Sequence, residues 1–269
     1  GYRAPVDEVG DAFDYVVVGG GSAGCVVASR LSEDPSVTVC LLEAGGEGRD
    51  LLIRAPLGFA VGMPLGRHSW GYETVPQPGF NGRRGFQPRG KALGGSSTIN
   101  AMIYARGHRS DYDGWAALGN PGWGYDDVLP YLKRSEAHAI HRDSPFHGVD
   151  GPLHVTNLRS PSPLNEVFLE ACQSQGIPFN PDFNGEQHHG CYHVQVTQKD
   201  GERHSAAAAF IHPNLDRPNL EVRTGAHIAR VRFDQRRATA VEYQRGGRTE
   251  VVAARREVVM SAGAFGTPQ

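Results

Sequence analysis

No stretch of this 269-residue chain approaches the roughly 20 consecutive apolar residues that a membrane-crossing helix requires. An excess of charge is missing as well. Lys and Arg number 27 against 29 Asp and Glu, a formal net charge of −2, which argues against a nucleic-acid or anionic-membrane surface. Cysteine is scarce: Cys25, Cys40, Cys172 and Cys191 have no C-x-x-C spacing, so free and mostly buried thiols in a cytoplasmic protein are expected. Residues 1–12 are polar and mixed in charge, without the basic start and apolar centre of a signal peptide. No internal repeat or low-complexity tract occurs. The twelve histidines include the groups His138/His141 and His188/His189/His193. These lie among Pro, Gly, Asp and Asn without a helical frame, and are read as loop and core histidines with no metal site.

What is abundant is glycine, 35 residues, and two runs of it carry the chemistry. Phe13-Asp14-Tyr15-Val16-Val17-Val18 reads as a buried parallel strand and leads into Gly19-Gly20-Gly21-Ser22-Ala23-Gly24, a G-x-G-x-x-G pattern. A helix follows over Cys25–Leu31, with Val27, Ala28 and Leu31 able to face the sheet. Val37–Leu42 reads as a second strand ending at Glu43, 19 positions after Gly24. Gly19 suits the tight turn, Gly21 the approach of a pyrophosphate, and Gly24 close helix–strand packing. Glu43 suits the ribose hydroxyls and disfavours a 2′-phosphate, which makes NADP a poor fit. Strand, loop, helix, strand and acid together indicate a dinucleotide site, and on these residues FAD and NAD remain equally open.

The second run is Gly90-Lys91-Ala92-Leu93-Gly94-Gly95-Ser96-Ser97-Thr98-Ile99-Asn100, continuing into Ala101-Met102-Ile103-Tyr104. Adjacent glycines, small hydroxyl residues and an apolar run predict a helix whose N-terminus faces an anion or an electron-rich ring. Between the two runs, Ala44–Phe86 is a Gly- and Pro-rich excursion too long for a simple connection. Further on, helices are expected over Asp126–Ser135, Leu164–Gln175 and Ser205–Ile211. The second is amphipathic, with Leu164, Val167, Phe168 and Ala171 on one face. Leu220–Thr224, Ile228–Phe233, Ala238–Tyr243 and Glu250–Ala253 alternate as antiparallel strands, with a hairpin at Gly246-Gly247. Glu257–Ser261 reads as one more buried strand, ending in Ala262-Gly263-Ala264.

With these pieces in place, the chain resembles the glucose–methanol–choline (GMC) family of oxidoreductases from Phe13 to its end. The run Gly90–Asn100, with Tyr104, Gly107 and Asp113 at their spacings, resembles the family's first signature. Asp127–Tyr131, His147–Leu153 and Arg217–Leu220 resemble further family landmarks, and the region beginning Trp115-Ala116-Ala117-Leu118-Gly119 is most similar to its choline dehydrogenase and bacterial alcohol dehydrogenase members. The resemblance implies an α/β fold: an FAD-binding Rossmann-like domain with a parallel sheet and an antiparallel excursion, interleaved with the beginning of an α+β substrate domain. The implied division is 13–155 and 221–269 for the FAD-binding domain and 156–220 for the substrate domain.

The resemblance also implies FAD rather than NAD. Gly19, Gly21, Ser22 and Gly24 would hold the pyrophosphate and Glu43 the adenosine ribose, with Ala23 and Ala44 also among the cofactor-binding residues. Gly94, Gly95, Ser96, Asn100 and Ala101 would follow the pyrophosphate and flavin, and Ile228 would meet the adenine. Ala262 and Gly263, at the start of what resembles the second signature, complete the set. Some members attach FAD covalently through a His just before the signature's Asn; Ile99 stands there, which implies noncovalent FAD. The implied reaction is oxidation of a primary alcohol with hydride transfer to flavin, the electron acceptor remaining unspecified. The implied catalytic His lies in a C-terminal segment beyond Gln269, so no catalytic residue is assigned and the chain is expected to be an inactive N-terminal portion. An FAD-binding piece without activity, a flavin-containing hydroxynitrile lyase, and an NAD-dependent Rossmann dehydrogenase stand as alternatives.

Overall fold

The computed structural model describes residues 10–269. The expectation about a leader concerns residues that fall largely outside that range. In chain order the main elements are β1 (Ala12–Val18), α1 (Ser22–Leu31), β2 (Val39–Leu42), α2 (Arg109–Ala117), α3 (Tyr125–Ser135), β3 (Glu136–His138), β4 (Leu153–Asn157), α4 (Pro163–Ser174) and β5 (Gln195–Val196), then β6 (Leu220–Arg223), β7 (His227–Asp234), β8 (Arg237–Arg245) and β9 (Arg248–Met260).

Two compact units emerge, one comprising the chain up to Asn100 with Ser205–Gln269, the other Ala101–His204. The first unit is thus discontinuous in sequence, and the second is one continuous stretch. Residues 205–220 pack with the first unit because Asn214 and Arg217 donate to Ser29 on α1 and Asn219 donates to the Ser32, Asp34 and Val37 carbonyls.

The first unit is built on a six-stranded sheet of order β6-β2-β1-β9-β8-β7. β1 lies parallel between β2 and β9, and β6 extends the parallel part beyond β2. Both β1 and β2 are aliphatic at the centre, and Val16, Val17, Val18 and Val39–Leu42 are at most 1% exposed. A run buried on both faces needs no polar alternation, which is why these strands were readable. The alternation of Leu220–Thr224 predicted an antiparallel strand, but β6 pairs parallel with β2 (Leu220↔Val39). Alternation reports a half-buried edge, and β6 is the edge strand. Glu250–Ala253 and Glu257–Ser261, expected as separate strands, form the single strand β9; its first part pairs with β8 and its last part with β1. The β8–β9 hairpin turns on Gly246 and Gly247 as expected. On α1 the buried side chains are Cys25, Ala28 and Ser29, whereas Val27 and Leu31 are only half-buried.

The expected helix after Gly94-Gly95 is a single 3-10 turn, Gly95–Thr98. The chain cannot continue as a helix because Met102 takes a left-handed φ of +62°, and Ile103 then bridges to Val196 as extended backbone.

In Ala101–His204 the sheet is small: β3 pairs parallel with β4, and β4 antiparallel with β5. α3 keeps Pro130 inside it, and α4 starts from the Ser162 side chain, which accepts the Leu164 N–H. Gly176, at φ +81°, ends α4.

Candidate functional site

The parallel strands β6, β2, β1 and β9 finish level with one another, Arg223 beside Leu42, Leu42 beside Val18 and Val18 beside Met260. Ligands of open parallel sheets bind beyond such carboxyl ends. The chain leaves this edge in register: Gly19 N–H donates to Leu42 O (2.8 Å), Glu43 N–H to Arg223 O (2.9 Å) and Ser261 N–H to Val18 O (2.7 Å).

The first glycine loop folds tightly on itself. A Cβ on Gly24 would stand 1.9 Å from Gly19 O, so only glycine lets α1 approach the loop this closely. The first N–H groups of α1, from Ser22, Ala23 and Gly24, have no preceding helical carbonyl to serve them. Ser22 and Ala23 are exposed, and no acidic side chain occupies the first turn of α1. Positive dipole and free donors there suit a phosphate.

Glu43 is only 5% exposed. Its Oε2 accepts the Gly20 N–H (2.9 Å) and its Oε1 the Gly45 N–H (2.7 Å). Burial pushes its pKa up, against the opposing pull of those two N–H groups and of Lys91. Each oxygen retains a second lone pair for a hydroxyl donor.

The second glycine run docks on the first. Gly94 N–H donates to Gly20 O (2.7 Å), and a Cβ on Gly95 would reach 2.6 Å from the Gly21 Cα. In front of Gly21 the space is open, its own Cβ position meeting nothing nearer than Gly95 Cα at 3.9 Å. The hydroxyls pin the turn: Ser97 Oγ donates to Gly94 O and accepts the Ala206 N–H, while Thr98 Oγ1 donates to Gly95 O. Ser96 Oγ accepts the Gly90 N–H and Ser96 itself is exposed, as is Asn100, which closes the turn onto Ser96 O.

Ala44 is half-buried between Glu43 and Gly45, whose carbonyls accept the Ala226 and Gly225 N–H groups. That pairing brings Ile228 alongside the Glu43 turn, with its side chain against the apolar core of Val16, Val18, Leu42 and Val241. The segment Ser261-Ala262 lies under Gly19, so close that a Cβ there would meet Ala262 Cα at 2.8 Å. Gly263 opens the terminal helical turn, Gly263–Gly266. Ala101 begins the second compact unit.

Trp70 received no role from the sequence. Its ring stacks on Tyr72 (5.9 Å, 3°), tilts against His227 (5.7 Å) and carries the Lys91 ammonium over its face (4.5 Å). The Trp-x-Tyr spacing, which puts both rings on one side of an extended segment, was the available signal.

The second unit gathers histidines that the sequence left scattered. His147 Nδ1 meets both oxygens of Glu136 (3.1 and 3.0 Å) and its Nε2 both oxygens of Asp182 (3.1 and 3.0 Å). Arg106 donates to Glu136 Oε2 at 2.7 Å. Glu136, His138 and His147 together have the ligand types and proximity of a cation site. However, His138 Nδ1 accepts the Ile140 and His141 N–H groups (3.2 and 3.1 Å), which leaves the ring proton on Nε2 and no lone pair there for a metal. Burial lowers the His147 pKa, but Asp182 and Glu136 outweigh it and raise it overall. The same contacts hold Asp182 and Glu136 below their ordinary values despite burial. This is a neutral network of two cations and two anions.

A family model described as GMC oxidoreductase matches residues 13–269. The chain belongs to the GMC oxidoreductase family. Within the family it is 46% identical over 259 residues to an alcohol dehydrogenase [acceptor] of Pseudomonas putida, covering 96% of this chain and 47% of that protein. It is also 46% identical to an oxygen-dependent choline dehydrogenase of Sinorhizobium medicae, covering 95% of this chain and 46% of that one. Among solved structures, pyridoxine 4-oxidase from Mesorbium loti superimposes with a TM-score of 0.87 at 35% identity, covering 95% of this chain and 50% of that chain. The chain thus spans about half the length of the curated relatives it matches.

Proposed function

We propose that this chain is the FAD-holding part of a GMC alcohol oxidoreductase acting on a primary alcohol of the choline or simple alcohol type. The observation that carries it is the docking of the two glycine runs, Gly94 on Gly20 and Gly95 on Gly21, beside the buried Glu43. A nicotinamide site needs only the first run. The second adds a turn against which the far half of a longer cofactor can lie. In this reading the N–H groups of Ser22, Ala23 and Gly24 bind the pyrophosphate, and Glu43 accepts the ribose hydroxyls. Ala44, Ile228 and Trp70 flank the adenine, Ser96 and Asn100 continue toward the flavin, and Ala262 and Gly263 lie beneath the first glycine loop.

When bound, FAD supplies the hydride acceptor for alcohol oxidation. The residues of this chain bind and orient it. None of the clustered histidines takes the alcohol proton in this reading: both nitrogens of His147 face carboxylates, and His138 is wholly buried. Attachment is noncovalent, since Ile99 has no nucleophile. Electron acceptor and cellular location follow no feature of the site; a cytoplasmic setting is proposed from the free thiols alone.

The test is to purify the protein with FAD supplied and record its visible spectrum and flavin fluorescence. A yellow protein whose flavin is released by acid precipitation supports the reading. A colourless protein that binds NADH, or flavin still attached after denaturation, overturns the corresponding part. Sustained bleaching by choline or a simple alcohol would show that the chain supplies its own proton acceptor.

A further inference from the structure

Two of the four cysteines belong to no part of the nucleotide site, and the fold of the second unit brings them together. α4 ends with Cys172 O accepting the N–H groups of Gln175 and Ile177, and Gly176 reverses the chain. The returning segment then pairs with residues 190–191: Cys191 N–H donates to Pro178 O (2.9 Å) and Asn180 N–H to Cys191 O (2.8 Å). This puts the Cys191 thiol over the last turn of α4, 3.9 Å from Leu169 O and from Ile177 O and 3.6 Å from Pro178 O. Cys172 lies about one turn beyond Leu169 on the same helix, close enough to Cys191 for the two thiols to interact electrostatically. Cys191 is buried, whereas Cys172 is half-buried and open to a small reagent.

We propose that Cys172 and Cys191 are an oxidation site, closing to an intramolecular disulfide that ties the end of α4 to the 177–191 loop. The oxidant is a low-molecular-weight disulfide. The Cys172 thiolate attacks one of its sulfurs, forming a mixed disulfide and releasing one small thiolate. The Cys191 thiolate then attacks the Cys172 sulfur, forming the protein disulfide and releasing the second. Two electrons pass from the protein to the reagent, and the two thiol protons end on the two released thiols. Burial and the neighbouring Cys191 both raise the Cys172 pKa. With the Cys172 thiol held protonated in this way, the pair closes slowly at neutral pH and faster in alkali. Cys25 and Cys40 are internal controls, buried in the other unit with pKa values pushed up to about 12 by burial.

The experiment uses the full reduced chain, incubated with oxidised glutathione at about pH 8.5. It is then quenched in acid, alkylated, and mapped by mass spectrometry without reduction. The expected product is a Cys172–Cys191 cross-linked peptide in about tenfold excess over glutathionylated Cys172, reversed by dithiothreitol. Cys191→Ser should trap glutathione on Cys172, and Cys172→Ser should leave Cys191 free and alkylated only after unfolding. Should Cys191→Ser fold poorly, the Cys172→Ser result carries the comparison. Wild-type protein that accumulates glutathione on Cys172 with Cys191 free, links either cysteine to Cys25 or Cys40, or shows no reaction at all overturns the proposal.

Discussion

The two compact units keep their interiors in different ways. Where the glycine loops sit, the middle of the sheet is apolar at Val16, Val17, Cys40 and Leu41, and its buried charges, Glu43 and Arg223, stand at the strand ends. In Ala101–His204, by contrast, Glu136 and His138 are as fully buried as Val155, and Arg106 and His147 are close behind. An aliphatic interior is indifferent to pH and forgiving of detail. A buried network costs desolvation and holds only while every member keeps its partner. The sheet unit should therefore fail when shape is changed, and the second unit when charge is changed.

The largest effect expected is from Gly24→Ala. The new methyl would meet Gly19 O at 1.9 Å, and that neighbour is backbone, so the loop itself has to shift. Stability should fall by about 3 kcal/mol, and flavin affinity by about 100-fold because the phosphate donors are displaced with the loop. Chemical denaturation and flavin titration read the two losses separately; unchanged affinity would mean the first loop does not hold the cofactor.

Leu41→Ala tests the aliphatic sheet alone. Leu41 is fully buried at the centre of β2, and truncation should cost about 3 kcal/mol. The loss should be the same at pH 5 and pH 8, since no titratable partner is involved. A pH-dependent loss would show that the contrast between the units is drawn wrongly.

Glu136→Gln is the counterpart in the second unit. It leaves Arg106 and His147 without their shared anion, at a cost of about 3 kcal/mol near pH 6. In the wild type, the His147 pKa is raised above 6.5, so its contribution is complete below that value and is lost as pH climbs through the raised one. Glu136 and Asp182 are lowered from 4.5 and 3.8; their contribution is complete above those values and is lost as pH falls through the lowered ones. Stability of this unit should thus be greatest between about pH 5 and pH 6.5, and Glu136→Gln should flatten that dependence. Hydrogen exchange resolved by segment places the loss within 101–204 or refutes it.

The same contrast governs what was legible in the sequence. β1, β2, the first glycine loop and Glu43 could be read residue by residue, because burial on both faces leaves an unmistakable aliphatic run and the loop's spacing is set by its turn. The second run was legible as a binding stretch, but its helix was not. Met102 has no signature of a left-handed residue, and the chain turns there for tertiary reasons. Arg106, Glu136, His147 and Asp182 are spread over 77 positions of sequence (182 minus 105), and nothing periodic links them. Long-range polar contacts carry no local pattern, so the network and the Cys172–Cys191 pair emerge only from the folded chain.

α4 shows the limit of periodicity most clearly and carries the smallest predicted effect. Its apolar stripe was readable, and an apolar stripe ordinarily faces a core. Here Leu164, Val167 and Phe168 are 75%, 60% and 67% exposed, and Leu169 alone is buried on this helix. Periodicity gives the existence of a face and says nothing about what meets it. Since Phe168 already lies in solvent, Phe168→Ser forfeits little burial, and the helix keeps its Ser162 cap, Pro163 at its start and Gly176 at its end. Stability should change by less than about 0.5 kcal/mol, while the protein becomes more soluble because an exposed ring is gone. A loss several times larger, measured by denaturation, would mean that the stripe is covered in solution and that Phe168 contributes to whatever covers it.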